Sequence, residues 1–405
     1  MSTHRILRLG ARGDGVAEGP LFAPRTLPGE EVSGTSDGQR LTDIRVLAPS
    51  PDRVRAPCRH FAQCGGCQLQ HGSDAFVADW KAQQVDAALR GHGIDAQIAP
   101  VQTSPPASRR RAVLAARRTK SGALAGFHAR ASDQVVEVPD CHLLHSDLMP
   151  ALAAARDLAL TGASRKGALA VTATLSRAGL DLAVAGGKPL DGPLRLSLAA
   201  LAERHDLARL AWENETVLTR RAPVQAFGGV PVVPPPGAFL QATAEGEAAL
   251  VAEVLALLDG ARRVADLFAG CGTFSFPLAH RAAVHAVEGA PGMLAALDHA
   301  ARHAQGLRPV THAVRDLFRR PLDARDLAAF DAVVIDPPRA GAEAQIAELA
   351  RARVPRIAHV SCNPVTFARD AAHLLAAGYR MGPVRVVDQF RWSAHVELVA
   401  GFHLH

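Results

Sequence analysis

A cysteine in Val360-Ser-Cys362-Asn-Pro364 and a glutamate in His395-Val-Glu397 are the groups of this chain best suited to nucleophilic and base chemistry. Cys362 follows the strand-like run Ile357–Val360 and precedes a proline-initiated helix, so helix amides should point at its sulfur and lower its pKa. A free cysteine is more often a small buried hydrophobe; the strand-end setting favours the nucleophile. Glu397 lies between Val396 and Leu398 at a strand start. Desolvation there would raise its pKa toward a value useful for proton abstraction. A surface glutamate on an edge strand is the plainer alternative.

A binding turn accompanies this pair. Asp266-Leu-Phe268-Ala-Gly270-Cys-Gly272-Thr273 reads as a strand running through a glycine-rich turn into a helix, where backbone amides approach a ligand closely. Glu288 ends the next strand, where an acid accepts hydrogen bonds from ribose hydroxyls. This is the usual look of an S-adenosylmethionine methyltransferase. The third glycine of a dinucleotide fingerprint is absent, with Ser275 in its place. Asp336-Pro-Pro-Arg339 ends another strand, Asp331–Ile335, at the same edge of the sheet, where a rigid carboxylate can bond a planar base or the cofactor. Two prolines would also simply stop a strand.

Four further cysteines have metal-ligand spacing: Cys58-x5-Cys64-x2-Cys67, with Cys141 much later. Zinc and an iron–sulfur cluster are both chemically open to four thiolates. The single Cys-x-x-Cys pair is unlike a zinc ribbon, and the spacing is not that of a radical enzyme.

These groups need elements to position them. Residues 1–50 alternate in short runs, such as Ile6–Leu9 and Thr42–Leu47, broken by turn signals, and suit a small β barrel. Residues 51–225 hold the cysteines, a helix predicted over Asp74–Arg90 and the basic run Arg109–Arg118. Residues 226–405 alternate strand and helix and close with a terminal antiparallel pair, which indicates a doubly wound α/β sheet.

The net charge of +6 and sequence pI near 9.3 fit a polyanionic partner, with arginine suited to phosphate and base stacking. A GC-rich genome would produce the same arginine bias. No apolar run reaches membrane-spanning length and the N-terminus lacks a signal-peptide core, so a cytoplasmic location is the expectation. A reducing compartment also leaves thiols free for metal and catalysis.

Together these segments resemble, over nearly the whole chain, the bacterial 23S ribosomal RNA (uracil-5-)-methyltransferases, the iron–sulfur branch of the class I RNA 5-methyluridine methyltransferase family. The resemblance implies a TRAM-like RNA-binding β barrel over 1–50, a central iron–sulfur α+β domain over 51–225, and a Rossmann-like class I methyltransferase domain over 226–405. It implies a 4Fe–4S cluster on Cys58, Cys64, Cys67 and Cys141, and S-adenosylmethionine held by Gln241, Phe268, Thr273, Glu288, Asp316 and Asp336. Cys362 becomes the nucleophile toward uracil C6 and Glu397 the base. Cys271 is left without a role.

The expected partner is 23S ribosomal RNA, gripped by arginine-rich stretches such as Arg109–Arg118, with no DNA or membrane partner and a monomeric enzyme. Two rivals are the same reaction on the tRNA T-loop and a non-catalytic iron–sulfur RNA-binding protein. The chain departs from the family pattern at Arg59, where proline usually follows the first cluster cysteine. It departs again at Arg391 and Ser393, in place of Pro and Thr, and at Thr243, in place of Asn.

Overall fold

The computed structural model describes residues 2–19 and 21–404. Its N-terminal unit is a closed barrel of the strands Ser2–Leu9, Gly15–Ala17, Leu21–Ala23, Glu31–Asp37 and Arg40–Ala48. Alternation along these strands sends Ile6, Ala17, Val32 and Leu41 into a small apolar core. The expected runs at residues 6–9 and 42–47 both lie inside barrel strands.

The central unit is a seven-stranded sheet. Its spatial order is Glu215–Thr219, Arg209–Trp212, Gly179–Ala185, Ala168–Ser176, Arg111–Arg118, Ala123–His128, Val135–Glu137. One pairing, between Gly179–Ala185 and Arg209–Trp212, is parallel, and the rest are antiparallel. Helices Ala151–Gly162 and Gly192–Arg204 contribute Leu158, Leu198 and Leu201 to its core, packed with the fully buried Trp212.

The C-terminal sheet places Val310–Val314, Ala283–Glu288, Arg263–Leu267, Ala332–Ile335 and Arg356–Ser361 side by side and parallel. Strand Glu397–His403 then runs antiparallel beside Arg356–Ser361, followed by Arg385–Asp388. Strands buried on both faces read as continuous apolar runs, which is why Ala332-Val-Val-Ile335 is wholly buried. One face is covered by Ala244–Leu257 through Leu250 and Val254, the other by Glu343–Ala352 and Pro364–Ala376 through Ile346, Phe367 and Leu374.

The helix over Asp74–Arg90 forms as predicted, with Ser73 Oγ accepting from the Phe76 amide. Its allegiance differs from the expected division at 51–225. Val85 and Leu89 join the core beneath the C-terminal sheet, and Gln102–Thr103 extends that sheet beside Val387 and Asp388. An amphipathic helix carries an apolar face but no address for it. No helix among the described residues is long and apolar enough to cross a membrane.

Candidate active site

Parallel strands of one sheet all end on the same edge, so their terminal residues converge on a crevice there. That crevice is a cavity of about 830 Å³ lined by Phe239, Phe268, Glu288, Asp316, Phe318, Asp336, Arg339, Cys362, Phe390, His395 and Glu397.

The turn after strand Arg263–Leu267 builds one wall. Phe268 takes φ +62°, a left-handed conformation that is uncommon for a non-glycine residue and occurs here at the cavity. Its ring meets Phe318 with centroids 5.4 Å apart. Gly272, at φ +99°, has no room for a Cβ, which would lie 2.6 Å from the Phe276 ring. The Glu288 carboxylate accepts from the amides of Gly270 (3.1 Å) and Ala290 (2.8 Å), which locks the acid to the glycine turn. Ser275, standing where a third glycine was wanting, donates its hydroxyl to Asp266 Oδ2 at 2.5 Å. The other oxygen of that fully buried Asp266 has no hydrogen-bond partner, and burial raises its pKa to about 7. Asp316 accepts from the Phe318 and Arg319 amides in the loop after Val310–Val314.

Cys362 follows strand Arg356–Ser361, and Glu397 begins the antiparallel strand beside it. Ser361 pairs with Leu398, so the next residue on each side, Cys362 and Glu397, reaches the same cavity. Cys362 does not have the lowered pKa expected from the helix start. Burial first, then the charges of Glu397 and Asp336, push the thiol up to about 11, and the nearby backbone amide and Arg339 oppose this only weakly. Glu397 behaves as expected: burial, followed by Asp336, raises its pKa well above the usual carboxyl range, against a hydrogen bond from Gln389. Asp336 is raised by burial and by Asp266.

Phe268, Glu288, Asp316 and Asp336 line the cavity with Cys362 and Glu397; Gln241 and Thr273 are not among its lining residues. Thr273 sits half-buried in the glycine turn. Gln241 is buried behind the cavity, its Oε1 accepting from Gln389 Nε2. Sequence reasoning missed the aromatic lining of Phe239 and Phe318 and the role of Gln389. Phe239 and Phe318 are about half exposed, an unusual state for large apolar rings that only the fold reveals. Thr243 keeps the helix-capping function open to the usual Asn, accepting from the Gly246 amide at 3.0 Å.

Three arginines of the run expected to grip RNA turn inward instead. Arg110 pairs with Glu247 at 2.6 Å, Arg111 donates to the carbonyls of Ala238 and Gly237, and Arg109 lies 5.7 Å over the Phe390 ring. Carbonyl and carboxylate oxygens of the C-terminal domain engage Arg110 and Arg111, and the Phe390 ring faces Arg109, whose Nε donates to the Arg111 carbonyl, so the segment fastens one domain to the other. Arg117 and Arg118, at the far end of the strand, stay half-exposed.

The remaining thiols form a second centre. Cys58, Cys64, Cys67 and Cys141 surround an enclosed hollow of about 20 Å³, walled by Phe61, Phe127 and Leu143. Burial and the neighbouring thiols raise the pKa of Cys67 to about 12. Among the described residues no group of three or more His, Cys, Asp or Glu converges closely enough to hold a metal ion. Cys271 is buried in the core beside the glycine turn.

A doubly wound sheet with a glycine turn, an acid-ended second strand and an aromatic, acidic crevice defines a nucleoside-cofactor methyltransferase. Aromatic faces suit adenine and a sulfonium cation, and the carboxylates suit ribose hydroxyls. Residues 235–404 match the family model described as tRNA (Uracil-5-)-methyltransferase. An RNA methyltransferase of Brucella suis is 48% identical, over 98% of this chain and 96% of the relative. A 23S rRNA (uracil(1939)-C(5))-methyltransferase of Chromohalobacter salexigens is 34% identical, over 97% of this chain and 87% of the relative. The crystal structure of a Pyrococcus abyssi tRNA (uracil-54, C5)-methyltransferase with S-adenosyl-L-homocysteine shares the fold at TM-score 0.77 and 22% identity, covering 98% of this chain and 99% of that one. This chain belongs to the S-adenosylmethionine-dependent RNA uracil-5-methyltransferases.

Proposed function

We propose that this enzyme methylates C5 of a uracil in 23S ribosomal RNA through a covalent bond between Cys362 and C6. The observation that carries the reading is that Cys362 and Glu397, each next to the paired Ser361 and Leu398, line one cavity with the cofactor residues. The ribosomal substrate is supported by the Chromohalobacter relative, similar along nearly the whole chain.

S-adenosylmethionine supplies the methyl group. Phe268, Glu288, Asp316 and Asp336 hold the nucleoside and its positive charge at the crevice, with Gln241 and Thr273 supporting them from behind. The target base must leave its stack to reach the thiol. Cys362 as thiolate adds to C6, which places negative charge on C5 and O4 and makes C5 the nucleophile toward the methyl group. Glu397 then takes the C5 proton; the C–H electron pair re-forms C5=C6 and expels the thiolate. The high thiol pKa has a role in this order of events. Cys362, Glu397 and Asp336 discourage one another's ionisation, and a cation entering the crevice relieves that repulsion.

The four-cysteine hollow is the proposed seat of a 4Fe–4S cluster on Cys58, Cys64, Cys67 and Cys141, with a structural role. Anaerobic purification should yield iron and sulfide, and stoichiometric zinc would overturn it. For the reaction, Cys362→Ala should lose methyl transfer to unmodified ribosomal RNA while RNA binding persists. Mapping 5-methyluridine in a strain lacking the gene decides the substrate: loss from 23S RNA supports the proposal, and loss from the tRNA T-loop replaces it.

A further inference from the structure

Gln389 lies beside Glu397, 2% exposed, and three of the four hydrogen-bonding valences of its amide are engaged. Its Oε1 accepts from the Ala242 backbone amide at 2.7 Å. That bond fixes which end of the amide is which, because a backbone N–H needs an acceptor. Nε2 is therefore turned toward Gln241 Oε1 at 2.5 Å and Glu397 Oε2 at 3.3 Å. Gln241 is held in turn, its carbonyl accepting from Arg110 Nε at 3.2 Å. On the other side of Gln389, Asp388 is clamped by the buried Lys81 at 2.5 Å, and Lys81 also reaches the Phe390 carbonyl at 3.1 Å. The amide of Gln389 is thus aimed by the adjacent residues Gln241 and Ala242, a segment held in turn by Arg110.

We propose that Gln389 is a positioning residue for the base, donating one N–H to Glu397 to orient its carboxylate and favour the ionised form that takes the C5 proton. The inference rests on the reading of Glu397 as base. A hydrogen bond from a neutral amide stabilises a carboxylate over a carboxylic acid, and it does so most where water is excluded. The charged and titratable groups around Glu397 are Asp336 and Arg339 after strand Ala332–Ile335, Cys362 on the adjacent strand, and His395 on its own segment. Of these, Asp336 works against ionisation, and Gln389 is the group that hydrogen-bonds the carboxylate in its favour.

The step that isolates this effect is breakdown of the methylated covalent complex. In it Cys362 is bonded to C6 and cannot titrate, so the pH dependence reports Glu397. Breakdown of the complex, preformed with RNA and S-adenosylmethionine and resolved on denaturing gels, should speed up as pH rises through the Glu397 pKa and then level off. In Gln389→Met the midpoint should move up by about one pH unit, with a similar plateau at high pH. An unchanged midpoint with a lowered plateau would make Gln389 a packing residue and overturn the proposal. Should Gln389→Met not fold, Gln241→Ala removes the anchor of the other N–H; a smaller upward shift is expected, and no shift overturns the proposal equally. Glu397→Gln separates the two readings. A complex that forms and persists in that variant supports Glu397 as base, so an unmoved Gln389→Met midpoint then sinks the relay alone. Absence of any covalent complex in the wild-type enzyme sinks the proposed function itself.

Discussion

Two groups of thiols in this molecule share a raised pKa for different reasons. Around Cys67 the hollow is small, closed and walled by aromatic and aliphatic side chains, and the other charges pressing on the thiol are those of fellow cysteines. Around Cys362 the cavity is large, and the pressing charges are the carboxylates of Glu397 and Asp336. Either thiolate is favoured by an arriving positive charge. The closed hollow suits a resident cationic group, whereas the open crevice suits a charge that comes and goes with each turnover. On the proposed reading, the same chemistry of sulfur serves structure in one place and reaction in the other.

The two centres are joined by the loop before Glu397. The amides of Gln68 and Leu69, beside Cys67, both donate to the Trp392 carbonyl at 2.8 and 2.9 Å. Arg109, whose charge is felt by Cys67 and Cys141, covers the Phe390 ring that lines the crevice. Damage at the hollow should therefore reach the active site through loop position rather than through chemistry.

The contrast is tested most severely at its reactive end. Cys362→Ala should reduce methyl transfer by at least about a thousandfold, because no other group can form the C6 bond; the melting temperature should hardly change. Cys67→Ser should do the reverse, losing iron and lowering the melting temperature while the folded remainder loses about tenfold in activity through the displaced loop. Equal losses in these two variants would erase the distinction between structural and reactive thiols. Lys81→Met attacks the link between the centres. It leaves the buried Asp388 without its cation, at a cost of about 3–5 kcal/mol in chemical denaturation; a change under 1 kcal/mol would show that the pair is dispensable. The smallest effect concerns thiol reactivity. Alkylation of Cys362 should be slow at pH 7 and accelerate toward pH 11, because burial and the two carboxylates keep it protonated. Glu397→Gln removes one of those charges, lowers the thiol pKa and should speed alkylation at pH 7 several-fold; a slower rate would reverse the sign of the assigned coupling.

Legibility followed the range of the interactions involved. The strand ending at Glu288 and the helix over Asp74–Arg90 were readable because alternating burial and capping leave marks within a few residues. Strand Arg209–Trp212 left no such mark, being four buried residues whose neighbours are far away in the chain. Arg110 and Arg111 misled for a related reason: a guanidinium looks solvent-seeking in sequence, and only the opposing carbonyls of residues 237, 238 and 241 show it bonded inward. The place of Cys362 before a helix start was local and legible, but the burial and the carboxylate charges that raise its pKa come from packing against other strands.

Residue identity and short spacing were decided by the sequence alone. It supplied four thiols able to share a ligand, a cysteine at a strand end, an acid after a glycine turn, and the alternation that makes a doubly wound sheet. Tertiary structure decided which of those groups meet. Antiparallel pairing of Arg356–Ser361 with Glu397–His403 brings Cys362 and Glu397, the proposed nucleophile and base, to one cavity, and a register slipped by one residue would turn Glu397 to the other face. The charge state of both groups is likewise a property of that meeting, because burial and Coulomb repulsion depend on distance in space and not on distance along the chain.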